Sequence, residues 1–73
     1  MRGKAYAIMR CKDIQDISLS RLNAQEMLME AALENGYHAF LYYFNHFGCS
    51  LETALEVAQE EMDHWQIWEF NLV

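Results

Sequence analysis

A chain of 73 residues has room for one domain, 1–73, with a small core, yet 53% of it is hydrophobic, 14% is aromatic and it holds no proline. That is more apolar material than such a core hides, so part of it is expected at a contact with another protein or in a homodimer. The net charge is −6 and sharply divided: residues 1–21 carry five Lys or Arg against two Asp, while residues 22–73 carry nine carboxylates and no Lys or Arg, which argues against direct nucleic-acid binding.

The front of the chain, "KAYAIMRC" from Lys4 to Cys11, alternates and predicts a short strand. "KDIQDISLS" then reads as a polar connection. A first helix is predicted from about Arg21 to Glu34. Ser20, or Asn23 with Glu26 three residues on, is its candidate cap. Asn35–Gly36 is its expected stop. Leu22, Leu28, Met29, Ala32 and Leu33 share one face of it.

The aromatic-rich run Tyr37 to Phe47 predicts a second helix, ended by Gly48. Its Tyr37, Phe40, Leu41, Phe44 and Phe47 are expected in the core, with Tyr42, His38 and His46 outside. A third helix is predicted from Ser50 as N-cap to about Trp65. Its inner face would hold Leu51, Ala54, Leu55, Ala58, Met62 and Trp65. From Gln66 the pattern changes to alternation, because a continued helix would put Glu69 at the centre of the apolar face. The predicted fold is therefore α+β, a small three-helix bundle with two short terminal strands (β-α-α-α-β) that pair.

The segment "LENGYHAFLYYFNHFGCSLETALEVA", about a third of the chain, is similar in outline to a ubiquitin-associated-type three-helix bundle. Gly36–Tyr37 stands at that family's Gly–Phe/Tyr turn, and Leu51 to Leu55, "LETAL", at its Val/Leu-Glu-x-Ala-hydrophobic helix start. The resemblance implies similar packing and carries no expectation of ubiquitin binding.

Reactive residues do not assemble into a site. Cys11 and Cys49 are expected as free thiols. No secretory pattern or membrane-length apolar run appears, so a cytoplasmic setting without membrane contact is expected. His38 and His46, eight residues apart on one predicted helix, lie about 12 Å apart along its axis and cannot share a metal ion. His46 with Cys49 lacks two further ligands, so neither a metal nor another cofactor is expected. Glu60, Glu61, Asp63 and His64 cluster, but a solvated helix end explains them. No nucleophile–base pair or Gly-rich phosphate loop appears, and no enzyme activity is expected. A helix-turn-helix reading of "FGCS" fails on charge, because the would-be recognition helix is acidic.

The carboxylates carry the functional expectation. Glu26, Glu30 and Glu34, and Glu52, Glu56, Glu60 and Asp63, form rows at helical spacing without countercharge. Like charges at i, i+4 cost some helix stability, so such rows suggest a partner that prefers them negative. The expected role is a small acidic inhibitor of a basic, nucleic-acid-handling protein, of the phage anti-defence type (anti-CRISPR or anti-restriction) or for host takeover. Exposed aromatics, chiefly Tyr42 and one of Trp65 or Trp68, with Trp68 preferred, would anchor the contact. The alternative is an obligate homodimeric structural or assembly subunit whose acidic face only solvates.

Overall fold

The computed structural model describes residues 3–72 and contains three strands and two helices: β1 (Gly3–Arg10), β2 (Asp13–Ser18), α1 (Arg21–His46), α2 (Leu51–Asp63) and β3 (Trp65–Leu72). The three strands form one antiparallel sheet in the order β2-β1-β3. The terminal strands pair as expected, Gly3 opposite Leu72 through to Arg10 opposite Trp65. The three-helix bundle does not exist. The two helices predicted over residues 21–47 are one, and the polar connection is a strand.

Two local features explain these corrections. Cys11 and Lys12 form the tight β1–β2 turn, and Cys11 adopts the left-handed φ of 56°. That conformation favours Gly or Asn, so the turn carries no ordinary hairpin signature. Register then shifts in β2: Asp16 pairs with Ile8 and Ile14 pairs with Met9, leaving Gln15 as an extra residue. The bulge puts Ile14 and Ile17, three residues apart, on one side of the sheet, where regular alternation would separate them.

Gly36 does not stop a helix; it lies buried inside α1. A Cβ at this position would stand 2.8 Å from Met62 Cγ and 3.1 Å from Met62 Sδ, so the missing side chain lets α2 approach α1. Asn35 spends its side-chain amide on the carbonyl of Ala31, 2.8 Å away, a bond along the helix that leaves it continuous. The resemblance to the ubiquitin-associated bundle fails here, because Gly36–Tyr37 is helix interior.

The other boundaries follow their caps. Ser20 accepts from the Asn23 backbone N–H at 3.2 Å to start α1, and Ser50 accepts from that of Thr53 at 3.2 Å to start α2. Buried Ser18 adds a knot between sheet and helix: its hydroxyl accepts from the Ser20 N–H and the Asn23 side-chain amide. Replacing Ser20 with Ala is expected to cost about 1 kcal/mol. A lower urea midpoint with unchanged slope would register it.

One face of the sheet packs on the helices. Tyr6, Ile67 and Glu69 line a hollow with Arg21 and Gln25 of α1, and Arg10 and Trp65 both reach Glu61 of α2. Ile8 is the only large side chain among the described residues that is fully buried; the rest of the core is mostly alanine. Beyond the sheet, α1 and α2 run on as an antiparallel hairpin. The molecule measures 53 × 19 × 15 Å, with a radius of gyration of 15.0 Å. A compact domain of this length has about 11 Å.

Candidate functional site

The helical hairpin carries the acidic rows. α1 alone, at 26 residues, is about 39 Å long. Glu26, Glu30 and Glu34 are exposed on α1; Glu52, Glu56, Glu60 and Asp63 are exposed along α2. Glu34 has one neighbour of potentially opposite charge, His38, at 3.9 Å. Among the described residues the cations stay at the sheet end: Lys4 meets Glu69 at 3.4 Å, and Arg10 holds Glu61. The molecule is therefore polarised, with a mixed-charge sheet end and an acidic hairpin.

Glu61 is the exception among the hairpin carboxylates, and it is a structural tie. Arg10 donates to it from Nε at 2.8 Å and from Nη2 at 2.7 Å, and the Trp65 indole N–H donates at 3.0 Å. The Arg10 hydrogen bonds hold the Glu61 carboxyl below its ordinary range, with the Trp65 bond assisting and partial burial opposing. A depressed folded pKa means the tie contributes stability above the unfolded value and loses it as pH falls through the folded one. Glu61→Gln is expected to lower stability at neutral pH by about 1–2 kcal/mol. It should also flatten the acid limb, read from urea midpoints across the pH range.

Between the two helices runs an apolar groove that the sequence reading assigned to the core. One hollow of about 530 Å³ is lined by Met29, Leu33, Met62 and Trp65 among others. A second is lined by Tyr37, Phe40, Leu55 and again Leu33 and Met62, so the two run together. Leu33, Tyr37 and Leu55 remain 53%, 61% and 54% exposed. The reason is geometric: α2 covers a single stripe of α1, centred on Gly36, and no third helix closes the other side. Asp63 lines the groove directly. At about 100° per residue, Glu26 and Glu30 lie just outside Leu33 on α1, and Glu52 and Glu56 just outside Leu55 on α2.

The aromatic run of α1 is also a surface. Tyr42, Tyr43, Phe44 and Phe47 are all exposed, which corrects the expected core placement of Phe44 and Phe47, as of Tyr37. Phe44 stacks on Phe40, and the others cluster at the hairpin tip: Tyr42 stands edge-on to Phe47 with ring centroids 5.3 Å apart, and 4.9 Å from His46. Tyr43 lines a hollow with Glu60, Glu61 and His64 on the other side of the helix seam.

The predicted site residues thus divide. The seven carboxylates and Tyr42 share the hairpin. Trp68 does not join them; it pairs with Ala7 on the sheet face away from the helices. Leu51 and Leu55, expected inside, are exposed, while Ala54 is buried. Among the described residues no three His, Cys, Asp or Glu side chains group to hold a metal ion, and no helix is long and apolar enough to cross a membrane. The chain matches no protein-family model, and neither a curated protein nor a solved structure shows significant similarity to it.

Proposed function

We propose that the protein is a non-enzymatic inhibitor that lays its acidic hairpin against the basic surface of a nucleic-acid-handling protein. One observation carries this reading. Seven carboxylates stand exposed on a projecting hairpin that holds no Lys or Arg beyond Arg21, and five of them, Glu26, Glu30, Glu52, Glu56 and Asp63, border an apolar groove. A basic amphipathic segment satisfies both features: its apolar side fills the groove and its cations meet the carboxylate rows. Such rows compete with phosphates for the same cations, and charge complementarity speeds encounter. The exposed tip aromatics, Tyr42 among them, supply apolar anchors. Small size and uncompensated acidity also fit an anti-restriction or anti-CRISPR role.

The test is capture from a cell lysate on the immobilised chain at low and high salt. The expected catch at low salt is a basic nucleic-acid-binding protein that is released by salt and displaced by added DNA. Recovery of no such protein at low salt would remove the main support.

A further inference from the structure

The sheet has one face against the helices and one that no other element among the described residues covers. Residues directly opposed across antiparallel strands share a face. Ala7 is opposed by Ile17 and Trp68, Ala5 by Phe70, and Met9 by Ile14 and Gln66. These residues, with Leu72, make up the open face, and none is charged. Every charged residue of the strands (Lys4, Arg10, Asp13, Asp16 and Glu69) falls on the face towards the helices. A half-solvated antiparallel sheet normally shows the reverse, apolar towards the helices and polar towards water. Here Ile14, Ile17, Trp68, Phe70 and Leu72 are 43–56% exposed.

We propose that this face is covered by the same face of a second copy of the chain, so that two sheets stack face to face. Three observations select a second copy. First, area: a compact monomer of 8.6 kDa exposes ~4,700 Å², whereas this chain exposes 5606 Å². The excess of about 900 Å², shared between the projecting hairpin and the open sheet face, is of the size that one partner gives to a stable interface, ~800 Å².

Second, charge: a two-fold contact sets a surface against itself. On a chain of net charge −6 only an uncharged surface does so without like-charge repulsion, and the acidic hairpin cannot. Third, shape: Ala5, Ala7 and Met9 of the central strand are already buried, so the exposed Ile14, Ile17, Trp68, Phe70 and Leu72 form the layer that meets its own copy on the facing sheet, at the usual spacing of about 10 Å. The dimer leaves both hairpins free, and it does not depend on what the hairpin binds.

The test is the solution mass by light scattering, under reducing conditions because Cys11 is an exposed free thiol. The expected mass is twice 8.6 kDa, unchanged between low and high salt. Trp68→Glu and Ile17→Glu, both at exposed positions, are each expected to weaken self-association by on the order of 100-fold while the helical circular dichroism persists. Leu55→Glu, in the hairpin groove, is expected to leave the mass doubled. A single-chain mass for the unaltered protein at high concentration overturns the proposal without any variant. So does a dimer that Leu55→Glu breaks and the folded Trp68→Glu chain keeps.

Discussion

Reversing Glu52, Glu56 and Glu60 together to lysine is expected to abolish capture of a basic partner, a loss on the order of 1,000-fold or more. Each reversal removes an attraction and adds a repulsion, and steering of the encounter inverts with them. The three side chains are exposed on one flank of α2 and make no hydrogen bond or ion pair within 4 Å among the described residues, so the fold should survive. Three lysines at these positions keep the i, i+4 like-charge spacing of the glutamates, so its small cost to the helix is little changed. Unchanged capture, with intact helical content, would exclude this flank as the binding surface. Partial loss that salt reproduces would leave α1, through Glu26, Glu30 and Glu34, as the larger contributor.

The second large effect is on the hairpin itself. Gly36→Leu is expected to lower stability by about 3 kcal/mol, since the new side chain must enter space held by Met62 and the Ala58 carbonyl. Gly36→Ala sets two effects against each other. Helix propensity favours Ala by ~1 kcal/mol, and the Met62 Cγ contact at 2.8 Å opposes it. Met62→Ala should relieve much of the Leu penalty, so a double-mutant cycle by urea unfolding reads the coupling directly. Additive penalties would mean that α1 and α2 do not approach at Gly36.

Much of the outer frame was legible in the sequence. Alternation found β1 and β3, and the misplaced Glu69 of a continued helix correctly moved the last segment to a strand. Ser50 marked the start of α2, and Gly48, with φ of 62°, the end of the aromatic helix. The middle was not legible. Asn35–Gly36 is a stop signal by composition, but its glycine answers to a helix–helix contact with a residue 26 positions further on. The β2 strand hid behind a Cys–Lys turn and a bulge.

These two errors decided the reading of the site. Splitting α1 created a third helix that would have covered Leu33, Tyr37 and Leu55, so the groove passed for core. Missing β2 hid the open sheet face, because Ile14 and Ile17 had no partner strand to assign them a side. The acidic rows needed only helical period and were placed without the fold. Trp68 is exposed, as an anchor must be, but on the face opposite the helices.

Hydrogen exchange on the hairpin with its captured basic partner bound tests the central claim most directly. The account predicts that, relative to the free protein, amides of α1 from about residue 29 to 40 and of α2 from 52 to 63 slow on binding. Those of β1, β2 and β3 should keep their free rates. Slowing confined to the strands, with the hairpin unchanged, would contradict it.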